Sequence, residues 1–265
     1  MNYIVTGGLG FIGRNLLRKL ADTPHGFHCL DIISGDDVCD PIDYPRCDVL
    51  IHLAAFTNVR ESFKHPERCI LENTAGMLNC LEFARENNSK VIFASSMGAP
   101  YALSPYSASK LACEHYCKSY AESYGVDVTV LRFSSVYGPL SAHKQSVIAS
   151  FIKACMHHRD ITIYGDGEQV RDFIHVDDVT EAILSVNGNK LTRVTSGKSH
   201  SVLKIAKMIQ EMSAELLDFK PVIFHDPANP GEITDMASQT NISAQIALED
   251  GLYNTFKWYK ENYKC

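Results

Sequence analysis

The chain has 265 residues, of which 45% are hydrophobic and 21% charged, and its formal net charge is -6. This composition is typical of one or two globular domains, and the acidic balance argues against a broad nucleic-acid-binding face. No stretch reaches the roughly 20 apolar residues that a membrane span requires, and we expect no signal peptide at Met1.

The first half of the chain alternates strand patterns with helix patterns. We predict strands at 3–6, 27–32, 48–53, 90–95 and 127–133, and helices at 10–20, 66–86 and 105–124. Continuous apolar runs such as 49–51 and 91–93 indicate strands buried on both faces. Leu71, Ala75 and Leu78 follow one face of the second helix, with Met77 and Leu81 beside it. The alternation predicts right-handed crossovers and a doubly wound α/β sheet.

After about residue 139 the pattern changes to shorter elements. We predict helices at 144–157, after Val176, at 201–216 and at 251–263, and strands at 161–164 and 191–195. Ser201 is suited to cap its helix. The nine cysteines include no Cys-x-x-Cys pair, so we expect reduced, mostly buried thiols in a cytoplasmic protein. We also expect no metal site, since neighbouring pairs such as 157–158 and 177–178 point in different directions on a helix.

The most informative local motif is the glycine-rich segment 6–13, which follows the first strand and opens the first helix. Gly7, Gly10 and Gly13 permit a tight turn, close backbone approach to a pyrophosphate and close helix packing. Asp31 ends the second strand about 20 residues later, where a carboxylate accepts hydrogen bonds from an adenosine ribose and repels a 2′-phosphate. The motif predicts a dinucleotide site that prefers NAD to NADP, and the alternative is a glycine-rich turn without a ligand.

A second motif places Tyr106 and Lys110 one turn apart on one helix face. A nearby lysine and a positively charged nicotinamide favour the phenolate, so Tyr106 is a candidate general base toward a substrate hydroxyl. A serine at 95–96 ends the fourth strand, where doubly wound folds bind ligands. By itself the Tyr-x-x-x-Lys spacing is more typical of a surface pair, but behind a dinucleotide motif we interpret it as catalytic.

Together these motifs resemble the extended short-chain dehydrogenases/reductases of the nucleotide-sugar epimerase/dehydratase type. Segments 52–55, 73–76, 131–139, 163–178 and 251–259 also match, so the resemblance runs along nearly the whole chain. It implies a Rossmann-like NAD-binding domain over 1–139, with return segments from the C-terminal half, and a smaller, mainly substrate-binding lobe over 140–265. It also implies a homodimer through the helices at 66–86 and 105–124.

The resemblance assigns roles to the positions that match the family's motifs. Ser96, Tyr106 and Lys110 correspond to the catalytic residues. The positions implied to contact NAD are Gly7, Gly10, Phe11, Ile12, Gly13, Asp31, Asp37, Val38, Leu53, Ala54, Ala55, Asn73, Tyr106 and Lys110. Those implied to contact a nucleoside-diphosphate sugar are Ser96, Ser135, Val147, Thr162, Tyr164 and Arg171. Arg171 would grip the diphosphate, because a guanidinium fork suits phosphate oxygens, and the alternative is an ion pair with Asp172 or Asp178.

The chain also departs from the family's pattern. Met97 and Gly98 follow Ser96, where the dehydratases carry Asp-Glu and a decarboxylase variant uses a glutamate, so both chemistries lack their acid. The segments 31–48 and 96–106 are short, Ser135 replaces an asparagine, and Asn229 replaces an arginine. We therefore expect NAD-dependent epimerisation, at C4, through a 4-keto intermediate. The alternatives are an NAD(P)-dependent reductase or dehydrogenase and a non-catalytic NAD-binding regulatory protein, and the nucleotide and sugar stay open.

Overall fold

A computed structural model describes residues 1–188, 190–227 and 241–264. Its strands are β1 (Asn2–Thr6), β2 (Gly26–Leu30), β3 (Val49–His52), β4 (Lys90–Ser96), β5 (Val128–Phe133), β6 (Ser135–Tyr137), β7 (Ile161–Tyr164), β8 (Val170–His175), β9 (Leu191–Thr195), β10 (Ser199–Ser201), β11 (Ile223–Asp226) and β12 (Ile242–Ser243). Its helices are α1 (Phe11–Ala21), α2 (Val59–Lys64), α3 (Pro66–Asn87), α4 (Pro105–Tyr124), α5 (Val147–Met156), α6 (Val176–Ser185), α7 (Val202–Leu217) and α8 (Leu248–Asn262). The chain forms two compact units, Met1–Phe133 with Thr180–Arg193, and Ser134–Val179 with Val194–Cys265.

The first unit is built on a parallel sheet in which the strands run in the order β5-β4-β3-β1-β2. The chain leaves β1 toward β2 on one side and leaves β3 toward β4 on the other. This reversal is a topological switch point, and open α/β sheets bind ligands at the carboxyl ends of the strands there. The predicted α/β fold with a parallel central sheet is therefore confirmed.

Both faces of this sheet are covered. Adjacent residues such as Ile4 and Val5 on β1, or Leu50 and Ile51 on β3, are fully buried although their side chains point to opposite faces. Burying a side chain of this size contributes about 1.5–3 kcal/mol. The prediction of strands buried on both faces is confirmed.

The predicted elements of this unit agree with the structure to within one or two residues. Helix α4 agrees at both ends, because Ser104 caps it by accepting from the Ser107 N–H and Gly125 ends it in the left-handed conformation (φ 71°). The second strand ends at Leu30 rather than residue 32, since the Asp31 side chain accepts from Ile33 N–H and starts a 3₁₀ turn. Helix α2 was missed, although Asn58 caps it.

Helix α3 turns an apolar face outward. Met77 and Leu81 are fully buried, whereas Leu71 is 58% exposed and Leu78 is 38% exposed. Ile70, at 43% exposure, lies beside Leu71. The apolar stripe seen in the sequence therefore contains two faces, and only one packs on the sheet.

The second unit contains three short pairings. Strand β8 pairs with β6 in parallel and with β10 in antiparallel orientation, β7 pairs with β11, and β12 pairs with the last residues of β9. Helices α5, α7 and α8 enclose a core that includes Ile152, Ile209 and Phe256. The predicted strands at 161–164 and 191–195 are confirmed, and Ser201 caps α7 as expected. The sequence pattern missed β6, β8, β10, β11 and β12.

Within the described residues, no helix is long and apolar enough to cross a membrane. The same part of the chain holds no cluster of three or more metal-ligating side chains. Its cysteines are free thiols, with Cys29 and Cys39 partly exposed and the others buried.

Candidate active site

In the glycine turn after β1, two positions lie so close to backbone atoms that only glycine fits. Gly7 has φ 68°, and a Cβ there would lie 2.6 Å from the Ala54 backbone nitrogen. A Cβ on Gly13 would lie 2.3 Å from the Gly7 oxygen. At Gly10, by contrast, a Cβ would approach only the Gly7 oxygen among the described atoms, at 3.2 Å. Gly7 and Gly13 thus close the turn, and Gly10 is less crowded than either of them.

This turn leads directly into α1, which begins at Phe11 and Ile12 with Gly10 as its cap. The first N–H groups of a helix have no intrahelical acceptor and carry the positive end of its dipole. Because Gly10 has no side chain, nothing of its own covers these groups. The turn and the helix terminus therefore form a cradle that fits a pyrophosphate, as the motif predicts.

Asp31 supports this cradle from the neighbouring strand. Its Oδ2 accepts from the Leu9 N–H at 2.9 Å, and its Oδ1 accepts from the Ile33 N–H at 3.0 Å. A carboxylate has about four acceptor positions, so two remain for the hydroxyls of a ribose. The predicted ribose contact is compatible with this geometry. The link to Leu9 was missed, because it depends on β1 and β2 being neighbours.

The chain after β3 stays beside β1. Leu53 N–H donates to the Thr6 carbonyl at 3.1 Å, and Ala54 N–H donates to the Thr6 hydroxyl at 3.3 Å. Leu53, Ala54 and Ala55 are all partly exposed. They consequently line the carboxyl edge of the sheet next to the glycine turn.

Asn73, on α3, joins this segment to the helix that carries Tyr106. Its Oδ1 accepts from Phe56 N–H at 2.7 Å, and its Nδ2 donates to the Ser109 hydroxyl at 2.8 Å. Ser109 in turn donates to the Tyr106 carbonyl at 2.8 Å. Asn73 is 3% exposed, so it acts in the structure as a buried brace between two parts of the site.

The shortened segment after β2 is anchored on α3. Val38 packs where Gly76 leaves room, since a Cβ at Gly76 would lie 2.9 Å from Val38. Asn79 Nδ2 donates to the carbonyls of Val38 and Asp40, both at 3.0 Å. Asp37 is exposed, and its carboxylate accepts from Cys39 N–H. Asn79 was not among the predicted site residues. Its only sequence signal is that it lies on α3, the helix that carries the motif 73–76.

Ser96 and Tyr106 meet at the carboxyl end of β4. The Ser96 side chain lies near the phenol of Tyr106 and lowers its pKa, and its Oγ accepts from the Gly98 N–H at 3.1 Å. Burial raises the pKa of Tyr106 to about 12, although Ser96 opposes this effect. In the protein alone the phenol is therefore protonated at neutral pH.

Lys110 lies one turn further along α4. Its Nζ donates to the Ala94 carbonyl at 2.9 Å and lies 4.8 Å from the centroid of the Phe93 ring. Burial lowers the pKa of Lys110 to about 8. The predicted phenolate depends on Lys110 together with a positively charged nicotinamide, and in the chain alone desolvation is the largest effect on the pKa of both Tyr106 and Lys110. The charge that favours a phenolate must come mainly from a bound cation.

Apart from Ser96, the candidate substrate residues lie in the second unit, on four elements. Ser135 begins β6 and Val147 begins α5. Thr162 and Tyr164 take the more exposed positions of β7, which alternate with the buried Ile161 and Ile163. Arg171 is on β8, directly opposite His200 of β10, so their side chains share one face of the sheet.

The two carboxylates considered as alternative partners of Arg171 bind backbone amides. Asp172 accepts from the N–H groups of Ser196 and Gly197, each at 2.8 Å. Asp178 accepts from Gln245 N–H at 2.9 Å. Both carboxylates thus have a structural role in this unit. Asn229 lies outside the described residues.

The sequence of the chain is similar to those of known proteins. The profile of the NAD dependent epimerase/dehydratase family matches residues 3–196. The chain is 30% identical to a putative UDP-glucose 4-epimerase of Methanocaldococcus jannaschii over 98% of both chains. It is 27% identical to a UDP-N-acetyl-alpha-D-glucosaminuronate decarboxylase of Bacillus cytotoxicus over 97% of both.

Among solved structures, the UDP-glucose 4-epimerase of Thermotoga maritima with UDP-glucose superposes with a TM-score of 0.92. The identity is 27%, and the match covers 100% of both chains. These similarities confirm the resemblance and the Rossmann-like fold, and the family's NAD dependence confirms the predicted cofactor.

Proposed function

We propose that this chain, which belongs to the NAD dependent epimerase/dehydratase family, epimerises a nucleoside-diphosphate sugar at C4. Its relatives include both a putative epimerase and a decarboxylase, so the reaction is argued from the residues around Ser96. The segment 97–104 between Ser96 and α4 contains no carboxylate. Without an acid there, the site supports proton exchange through Tyr106 but not elimination of water or loss of carbon dioxide. This observation carries the proposal.

Epimerisation requires two protein side chains at the oxygen on C4, one that exchanges its proton and one that donates a hydrogen bond to it. NAD, when bound, would supply the acceptor and donor of hydride at C4. Tyr106, as phenolate, takes the proton of the 4-hydroxyl and gives it back after the keto-sugar has turned its other face. Ser96 donates a hydrogen bond to the oxygen at C4 while it is a ketone. Lys110, with donors beyond the one bound to Ala94, holds the nicotinamide ribose.

The second unit would hold the nucleotide part of the substrate. We assign the diphosphate to Arg171, and the nucleoside to Ser135, Val147, Thr162 and Tyr164. The exposed positions of Thr162 and Tyr164 on β7 support this assignment. The UDP-glucose bound by the Thermotoga maritima relative makes that compound the first substrate to test.

The direct test replaces Tyr106 with phenylalanine. We expect Tyr106→Phe to lower kcat for interconversion of UDP-glucose and its C4 epimer by about 10²–10⁴-fold, because proton transfer is lost. Tyr101→Phe is the matched control, since Tyr101 is 49% exposed in the nearby 3₁₀ turn. Retained activity in Tyr106→Phe contradicts the mechanism. A steady change of nicotinamide absorbance during turnover contradicts epimerisation and indicates a net reductase or dehydrogenase.

We also propose a homodimer formed through α3 and α4. The support is the outward apolar face of α3, with Leu71 and Leu78 one below the other at a spacing of seven residues. Exposed apolar faces of this kind mark interaction surfaces.

A further inference from the structure

A buried ion pair lies behind the candidate catalytic residues of the first unit. Arg132 donates from Nε to Glu114 Oε1 at 2.8 Å and from Nη2 to Oε2 at 2.5 Å. The side chains are 12% and 7% exposed. The Ser95 hydroxyl donates to the same Glu114 Oε1 at 2.5 Å. The carboxylate is thus bound on both oxygens by groups from two strands.

Glu114 and Ser95 lie next to proposed catalytic residues on α4 and β4, and Arg132 lies on the neighbouring strand β5. Glu114 follows Lys110 by one turn of α4, as Lys110 follows Tyr106, so the three share one helix face. Ser95 precedes Ser96 on β4, and Arg132 is its register partner on β5. The ion pair therefore joins α4 to β5, and the Ser95 hydroxyl joins the same carboxylate to β4, the strand that ends in Ser96, one turn beyond the bond from Lys110 to the Ala94 carbonyl.

Stability alone does not account for such a pair. Taking two charges out of water is costly, and apolar side chains of similar volume often replace a buried ion pair without loss of stability. A bidentate guanidinium–carboxylate pair, however, fixes distance and direction more tightly than apolar packing does. It would hold α4 in one rotation and one axial position against β5 and, through the Ser95 hydroxyl, against the paired strand β4.

We infer that Glu114 and Arg132 are positioning residues, which set the place of Tyr106 and Lys110 relative to Ser96. This inference rests on the proposed function only in that Tyr106 and Ser96 act on the substrate and Lys110 acts on the cofactor. A misplacement of about 1 Å can cost about 10²-fold in rate. The pair would consequently affect the chemical step more than substrate binding.

The test compares two double variants with the wild-type chain. In Glu114→Leu/Arg132→Leu both charges are removed, so no buried charge is left alone. We expect an unchanged or higher melting temperature, KM within about threefold and kcat lowered about 10–100-fold. In Glu114→Gln/Arg132→Gln the amides can bond to each other and to Ser95, and we expect part of kcat to return. Glu211→Leu/Lys220→Leu removes a surface pair of 2.7 Å and should leave kcat unchanged.

The outcomes separate this inference from the proposed function. A wild-type chain that does not epimerise any UDP-sugar contradicts the proposed function. In that case single-turnover reduction of bound NAD by the sugar still reports on the position of Tyr106 in each variant. An active wild type together with a fully active Leu pair overturns the inference. So does a Leu pair that fails to fold, because the ion pair would then be needed for stability.

Discussion

Lys110 keeps its ammonium group almost out of water, with 3% of the residue exposed, between the Ala94 carbonyl and the face of Phe93. Burial lowers its pKa from 10.5 to about 8, whereas in the unfolded chain the ordinary value applies. Below pH 8 the folded protein therefore holds a buried ammonium group, and this costs part of its free energy of unfolding. This cost disappears as the pH rises toward 10.5.

We therefore predict that Lys110→Met stabilises the protein while it abolishes epimerisation. At pH 7 the free energy of unfolding should rise by about 2 kcal/mol, after allowance for the lost bond to Ala94. Urea denaturation from pH 7 to 10 measures the gain, which should shrink as the pH increases. Lys118→Met is the control, because Lys118 is on the same helix and its side chain is 70% exposed. A destabilised Lys110→Met would contradict the prediction.

His52 is a second buried base, and its effect appears in acid. Its Nδ1 forms a 2.8 Å hydrogen bond with the Thr6 hydroxyl, which also accepts from Ala54 N–H. Burial, with a smaller effect from Lys110, lowers the pKa of His52 from 6.5 to about 3. The unfolded chain binds a proton below pH 6.5 and the folded one does not, so stability falls as the pH drops from 6.5 toward 3.

The corresponding prediction compares His52→Gln with the wild type at pH 7 and pH 5. Between these values the wild type should lose about 2 kcal/mol of unfolding free energy more than the variant loses. Chemical denaturation at each pH measures the difference. His157→Gln, at an exposed histidine, should follow the wild type. Parallel pH dependences in all three proteins would be incompatible with a buried neutral His52.

From the sequence we could predict where Ser96, Tyr106 and Lys110 lie, but not how burial changes the protonation of Tyr106 and Lys110. Ser96, Tyr106 and Lys110 stand at strand and helix positions that local patterns reveal. The balance between Lys110 and Tyr106 depends on burial, which comes from the packing of α4 on β4 and is not visible in the Tyr-x-x-x-Lys spacing. The Asp31–Leu9 bond likewise requires the pairing of β1 with β2.

At the scale of elements, the turn between β1 and α1 contains one glycine that serves packing, Gly13, and one that serves NAD binding, Gly10. Gly13 lies against backbone atoms of Gly7 and Gly8, and a Cβ at Gly13 would come within 2.6 Å of Gly8. Such a contact forces α1 away from the turn. At Gly10 a methyl group would require only a small shift of the Gly7 carbonyl, 3.2 Å away, but it would lie beside the helix N–H groups that we expect to bind a pyrophosphate.

Two glycine variants therefore have different predicted effects. Gly13→Ala should lower the unfolding free energy by about 2 kcal/mol or more, from overpacking, and should also abolish NAD binding. Gly10→Ala should cost less than about 1 kcal/mol of stability and should weaken NAD binding at least about tenfold. Melting temperatures with and without NAD report both quantities. Equal destabilisation by the two variants would show that Gly10 also serves packing.

Local signals decided which elements the sequence predicted well. Helix α4 has a serine cap, Pro105 in its first turn and Gly125 after its end, and its boundaries were predicted correctly. Strands β6, β10 and β12 have only two or three residues, too few to show a period. Strand β8 has Arg171 and Asp172 in its middle, and its pairing depends on partners distant in sequence.

At the scale of the whole molecule, the exposed apolar face of α3 bears on whether two copies of the chain form a dimer. Leu71 and Leu78 lie between ion pairs of the same helix, Arg68 with Glu72 and Arg85 with Glu82. An apolar strip with a charged border is the usual arrangement of an interface core and rim. The face also belongs to the helix whose Asn73 braces the Tyr106 helix, so covering it would steady the site.

We predict that the chain is a dimer in solution and that Leu71→Glu/Leu78→Glu makes it monomeric, because each new carboxylate would have to be buried without a partner. Light scattering coupled to gel filtration measures the mass of both proteins. Phe224→Glu is the matched control, since Phe224 is an apolar residue 53% exposed on β11 in the other unit, and this variant should remain dimeric. A monomeric wild type, or a dimeric double variant, would rule out α3 as the interface. If the dimer steadies the Asn73 brace, the monomeric variant should also bind NAD more weakly, which the same thermal titration used for the glycine variants detects.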